Sequence, residues 1–170
     1  MEIRPITLKD SDAFLMLMNT NRNRLKNYFP ILTKSVTDKE STINYIKEKQ
    51  QQQTDKASYT FVMLSEKNEI IGCLIIKNIN WATAKAELAY YIDKKQEGKG
   101  ITSLGVSWII DYCFSQLQLK SLFLRIDPKN IGSKTVALKN GFVLEKIVPN
   151  DFTTADNRLI DIEYYGLKIN

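Results

Sequence analysis

Glu87 to Gly105, ELAYYIDKKQEGKGITSLG, is the part of the chain best suited to chemistry. It reads as a strand, a short loop closed by Gly98 and Gly100, and the first turns of a helix. Such a turn aims several backbone N–H groups at one point, and the helix dipole adds partial positive charge there. The glycines carry no Cβ to obstruct an approaching anion. The expected guest is a phosphate-bearing molecule. A Walker A loop is excluded, because no Gly-x-x-x-x-Gly-Lys-Ser/Thr run occurs. A dinucleotide fingerprint is a stronger rival: Gly98-x-Gly100-x-x-Ser103 approximates it, and Asp127 ends the next strand. Two features count against it. Residues 93–97 separate the strand from Gly98, where a dinucleotide fold turns almost at once, and Ser103 replaces the third glycine.

The chain contains no histidine. That removes Ser-His-Asp and Cys-His catalysis and the common zinc sites, so no metal centre is expected. Acid–base work falls to carboxylates, Tyr, Lys, Ser or water. Cys73 and Cys113 lie within apolar patterns on a strand and a helix. They read as two core thiols rather than a disulfide or a catalytic pair.

The elements that must position this chemistry follow from periodicity. Glu2–Ile6 reads as a strand and Asp10–Asn19 as a helix, with Ala13, Phe14, Leu17 and Met18 on one face. A second helix follows Thr37, with Glu40 completing a capping box, and frays or loops at the glutamines of residues 50–53. Ser58–Leu64 and Ile70–Lys77 form a hairpin around Glu66–Asn68, and Lys85–Asp93 is the next strand. The helix from Ile101 aligns Ile101, Leu104, Trp108, Ile109 and Tyr112. Strand Leu122–Ile126, a short helix within Ser133–Asn140, and strands near Phe142–Val148 and Leu159–Ile169 complete the chain. The order βααβββαβαββ implies an α/β (α+β) fold: a mixed sheet with helices on both faces.

The 170 residues are enough for one domain with a sizeable core. An apolar fraction of 44% and a charged fraction of 25% are ordinary for a soluble protein. No apolar run approaches a membrane span, and the N-terminus MEIRPITLKDSD lacks the apolar core of a signal peptide. The reading is a cytoplasmic protein with no membrane partner. The net charge is +5, but Lys and Arg are scattered apart from Arg22, Arg24 and Lys26. That dispersion argues against a nucleic-acid binder and favours a solvated surface. The charge still suits a polyanionic cofactor or docking on a ribosome-like surface.

Downstream, Asn130-x-x-Ser133-x-x-Val136-Ala137-x-Lys139-x-Gly141-Phe142 follows EGKGI at a telling distance. Together these resemble the GNAT superfamily of acetyl-CoA-dependent N-acetyltransferases. AELAYYI resembles the strand of the RimJ/RimL type, which acetylates protein N-termini, and Asn21–Pro30 resembles that type's acceptor-lining segment. The resemblance runs from EIRPIT to DIEYYGL and implies a single GNAT-like domain over residues 1–170, its mixed sheet mostly antiparallel. It also implies direct acetyl transfer from acetyl-CoA, with CoA as product, to an amine in a ternary complex. The expected acceptor is a protein or peptide α-amine; a polyamine or amino sugar is the alternative acceptor. A silent acyl-CoA-binding module and a Rossmann-like nucleotide binder are the rivals from other classes. A homodimer is compatible with the sequence.

The resemblance also implies roles. Glu97, Gly98, Lys99, Gly100, Ile101 and Thr102 would hold the pyrophosphate, mainly through backbone N–H, with the Glu97 carboxylate turned away. Tyr91, Ile92 and Asp93, beside Tyr90, would pair with the pantetheine arm. Asn130 would bind that arm or cap the short helix. The tyrosine that many GNAT enzymes use to protonate the thiolate is replaced by Ala137. Ser133 would donate to the departing sulfur instead, or serve as an N-cap. Glu87 is the first candidate for the base and Asp151 the second, with Asp161 a further carboxylate; water alone could also take the proton. Tyr28 and Phe29 would wall the acceptor cleft or pack in the core. The loop Val148–Arg158 would read the acceptor.

Overall fold

The computed structural model describes residues 1–169. Strands β1 (Glu2–Pro5), β2 (Tyr59–Leu64), β3 (Ile70–Asn80), β4 (Lys85–Ile92), β5 (Ser121–Ile126), β6 (Val143–Thr153) and β7 (Leu159–Lys168) join in one sheet. Its order is β1-β2-β3-β4-β5-β7-β6. Every neighbouring pair is antiparallel except β4 and β5. This is the mixed sheet expected from the element order, and mostly antiparallel as the family resemblance implies.

Helices cover both faces. Helix α4 (Ile101–Ser115) and α5 (Ile131–Lys139) lie on one, over a core that includes Phe61, Leu74, Leu88, Val106, Ile109, Leu122 and Leu124. Helices α1 (Ser11–Leu25), α2 (Pro30–Ser35) and α3 (Lys39–Thr54) lie on the other, over Phe14, Met18, Leu25, Ile46, Val62, Leu64, Cys73 and Tyr91. Strand β2 is buried on both faces, so YTFVML is apolar without a gap. Helix α4 sits close to the sheet at Gly105, where a Cβ would meet Met63 Sδ at 2.6 Å. Gly105 thus supplies the close helix–strand contact that Ser103 does not.

Several expectations are corrected. Helix α1 runs on to Leu25, which carries Asn21 and Arg24 to the sheet edge. Helix α2 was not anticipated; Pro30 opens it, a position where the missing N–H has no helical partner to lose. Helix α3 is capped by Asp38, whose Oδ1 accepts from Ser41 N at 2.8 Å, not by a Thr37–Glu40 box. It stays helical through the glutamines to Thr54. On α4, Leu104 is 64% exposed, because Gly105, Val106, Ile109 and Cys113 face the sheet. Strand β6 extends through Asp151 and Phe152, so the expected acceptor loop shortens to a turn after Thr153. No helix among the described residues is long and apolar enough to cross a membrane.

Candidate active site

The parallel strands β4 and β5 pair only from Lys85–Ser121 to Glu87–Phe123. Beyond that point β4 stays with β3 as far as Ile92, and β5 stays with β7 as far as Ile126. The sheet therefore splits into a V. A cleft of about 620 Å³ fills the opening, floored by Glu87 and Leu88 and walled by Tyr28, Phe29, Tyr90, Leu124, Ile126 and Val136.

Alternation decides which backbone groups face the opening. Asp93 N–H donates to Ile71 O at 2.7 Å, so Asp93, Tyr91 and Ala89 turn their N–H and C=O toward β3. Tyr90 and Ile92 turn theirs toward the cleft. The expected edge is thus corrected: Tyr90 and Ile92 offer it, while Tyr91 and Asp93 spend their backbone on β3. The Tyr91 side chain is buried under α1 and α2, edge-on to Phe29 at 5.2 Å. The Asp93 carboxylate caps the next turn, accepting from Lys95 N at 3.2 Å. The Ile92 carbonyl already accepts from the Arg24 guanidinium.

At the mouth of the V, Gly98 and Gly100 have φ of 76° and 78°, a region that side chains with a Cβ resist. Gly100 is the N-cap of α4, and the N–H groups from Gly98 to Ser103 have no partner among the described residues. Gly98 and Thr102 line the cleft. The Lys99 side chain turns aside to Gln96 Oε1 at 2.9 Å, leaving its backbone to serve, and Ile101 packs against the core. Glu97 does not simply turn away. It borders the cleft, and its carboxylate bridges Arg24 at 2.9 Å and Lys94 at 2.7 Å. Two cations hold it off an incoming anion.

Across the cleft, Asn130 caps α5 by accepting from Ser133 N at 3.1 Å. Ser133 is therefore not the cap. Its hydroxyl lines the cleft close to the Tyr90 phenol. The Ser133 carbonyl accepts from Tyr90 O–H at 3.1 Å, which ties α5 to β4. Burial raises the Tyr90 phenol, so it stays protonated as a donor.

Residues 1–143 match the family profile described as the acetyltransferase (GNAT) domain. The chain belongs to the GNAT acetyltransferases. Among relatives of this GNAT chain, a probable N-acetyltransferase, YjcK of Bacillus subtilis, is 29% identical, over 85% of this chain and 81% of its own length. The ribosomal-protein-serine acetyltransferase of Escherichia coli is 26% identical, over 82% and 84%. The spermidine N(1)-acetyltransferase of Vibrio cholerae is 25% identical, over 82% and 77%. A solved structure of RimL, a ribosomal L7/L12 α-N-protein acetyltransferase in complex with coenzyme A, shares the fold. Its TM-score is 0.90 at 20% identity, over 98% of this chain and 93% of that one.

The family identity makes this GNAT protein an N-acetyltransferase whose acyl donor is acetyl-CoA. The cleft fits that donor. Free N–H groups at the start of α4 suit a pyrophosphate, and the unpaired edge of β4 suits an extended amide-bearing arm. When bound, acetyl-CoA supplies an activated thioester carbonyl.

The carboxylates are placed unequally. Glu87 is 3% exposed, and its oxygens meet Lys77 Nζ at 3.1 Å and Asn78 Nδ2 at 2.6 Å. Asp151 does not line the cleft. It accepts from Tyr164 O–H at 2.7 Å and Arg125 Nη2 at 2.7 Å, and these bonds lower its pKa. Asp161 is exposed and accepts from Asn150 N at 3.0 Å. The GNAT site thus contains cations that motif reading missed: Arg24, Lys77 and Arg125 all line the cleft. Arg125 had a legible signal, a lone charge within the apolar strand LFLRI. Arg24 was visible as part of a basic group and within the Asn21–Pro30 segment expected to line the acceptor cleft, with no role of its own.

Proposed function

We propose that this N-acetyltransferase passes acetyl directly from acetyl-CoA to the α-amine of a protein or peptide N-terminus. One observation carries the reading: a single cleft joins the free N–H groups of the Gly98–Gly100 loop to the buried carboxylate of Glu87. In this reading the N–H groups from Gly98 to Thr102 hold the pyrophosphate. Tyr90, Ile92 and Asn130 guide the pantetheine arm.

The acceptor nitrogen, once neutral, attacks the thioester carbonyl. Its N–C bond forms as the C–S bond breaks, the nitrogen gives up a proton, and the sulfur leaves with one. Glu87 receives the amine proton directly or through water. The Ser133 hydroxyl donates to the sulfur as negative charge develops there, when such a bond is worth most. No acyl-enzyme is needed. Cys73 and Cys113 are fully buried, and burial pushes each thiol up to about 12. Neither is a ready nucleophile.

The names of the relatives give two acceptor classes, ribosomal proteins and spermidine. Charge favours the first. A polycation needs several unneutralised carboxylates, whereas Glu87 is paired with Lys77 and Glu97 with Arg24 and Lys94, which leaves Asp127 as the one cleft carboxylate outside an ion pair among the described residues. Thiol release from acetyl-CoA should be measured with peptides bearing free or blocked N-termini and with spermidine. Turnover only with free N-termini supports the reading. Preference for spermidine, or acetylation confined to internal lysines, overturns it.

A further inference from the structure

The open face of the sheet next to the cleft carries an alternation of cations and aromatic rings that acetyl transfer itself does not use. Lys85 on β4 lies over the Phe123 ring on β5 at 5.1 Å. Phe123 stacks with Tyr164 on β7, the centroids 6.1 Å apart and the planes within 13°. Lys146 on β6 lies over Tyr164 at 4.6 Å. The row crosses four adjacent strands. Arg125, one step nearer the cleft, lies 5.7 Å from the same ring, and its buried Nε has no partner. The row passes beside Glu87, which pairs with Phe123 in the β4–β5 register.

We propose that this face receives the acidic segment of a peptide acceptor whose first amine reaches Glu87. The inference rests on the N-terminal acetyltransferase reading above and names the class of peptide. Lys85 and Lys146 are exposed at the two ends of the row, so both ammonium groups are open to carboxylates. Asp151 neutralises only one edge of Arg125, through Nη2. An acidic chain laid across β4, β5, β7 and β6 meets a cation at each end; between them lie the two rings and one carboxylate, that of Glu145 over Gly166, which the chain must skirt. RNA also seeks basic and aromatic surfaces. Here, however, the rings stack on each other and carry cations above them, so no face is free for a base.

The test compares two short peptides with the same first residue, one continuing with Asp and Glu and one with Ser and Gly. Each is offered to the parent and to the double variant Lys85→Ser/Lys146→Ser. Turnover is read by thiol release, and binding of the labelled peptides by fluorescence anisotropy. In the parent, the acidic peptide is expected to have a kcat/KM about tenfold higher than the neutral one, mostly through KM. The preference should shrink as salt rises. In the double variant the ratio should fall toward one.

Equal parent kinetics for the two peptides, or an undiminished preference in the double variant, overturns the proposal. So does an RNA oligonucleotide that displaces the acidic peptide at equal concentration. Turnover of the neutral peptide judges the α-amine reading separately. If neither peptide turns over, anisotropy still decides the surface: tighter binding of the acidic peptide, lost in the double variant, sustains it, and its absence refutes it.

Discussion

Lys77 and Glu87 stand directly opposite each other on β3 and β4, with Nζ 3.1 Å from Oε1. The pair lies at the point where β4 loses β5 as a neighbour, so a paired, buried carboxylate sits at the bottom of an open cleft. Asn78 takes the second oxygen at 2.6 Å. In the proposed reading, a carboxylate held this firmly orients the acceptor amine and takes its proton directly or through water.

Glu87→Gln is expected to lower kcat and to recover partly at high pH, where more acceptor amine is already neutral. A pH–rate profile checks this, and an equal fractional loss at every pH would reduce Glu87 to a positioning role. Lys77→Met leaves the Glu87 charge without its cation. Because Lys77 is partly exposed and Asn78 remains, the loss of stability should be about 1–3 kcal/mol, measurable by urea unfolding.

Ser133→Ala removes a hydroxyl that caps nothing, since Asn130 holds that position. Stability should change little. The rate should fall by roughly 10²–10⁴ if the hydroxyl assists thiolate departure, with acetyl-CoA affinity kept. Single-turnover thiol release beside calorimetry separates the two effects; parental turnover would remove Ser133 from the chemistry.

Gly100→Val tests the loop in two ways. A Cβ at Gly100 meets no protein atom within 4 Å, so the substitution causes no clash with the protein itself. Its conformational cost comes from φ of 78°, about 1–2 kcal/mol for a residue that resists the left-handed region. Acetyl-CoA binding should also weaken about tenfold, or about 1.4 kcal/mol. Gly100→Asn tolerates the same φ better. Lost binding in both variants, by calorimetry, places the effect on the ligand; loss in Val alone assigns it to the backbone; unchanged affinity in both excludes the loop from binding.

Asp151 is held below its ordinary pKa of 3.8 by hydrogen bonds from Tyr164 and Arg125. A folded value below the unfolded one means its stabilising contribution is complete above the unfolded pKa. It is lost as pH falls through the folded value. Asp151→Asn should therefore be less stable than the parent near neutrality, with the gap closing in acid below that range. Thermal melts across pH measure this. The same variant should leave the alkaline limb of the pH–rate profile in place, because Asp151 is ionised throughout it; a shifted limb would restore Asp151 as a base.

The chain's own letters were enough to reveal the glycine loop, the element order apart from helix α2, the family resemblance and the buried thiols. Each is a local pattern: φ-permissive glycines at a strand-to-helix turn, alternation in strands, apolar spacing around Cys73 and Cys113. The family resemblance, likewise, rests on motifs read in order along the chain. Which backbone groups of β4 face the cleft was not legible, because that depends on the register with β3 and on where β5 departs. The cap of α5 also needed the fold, since Asn130 and Ser133 are both plausible caps until one hydrogen bond selects Asn130. Charges behaved likewise. Arg24 and Lys77 are ordinary surface letters in sequence, Arg125 is only a lone charge in an apolar strand and Asp151 a candidate base; long-range pairing makes Arg24 a clasp on Ile92 and Glu97, and Asp151 a brace for Arg125. Local propensity sets the elements; the site comes from contacts between residues far apart in the chain, which no short window contains.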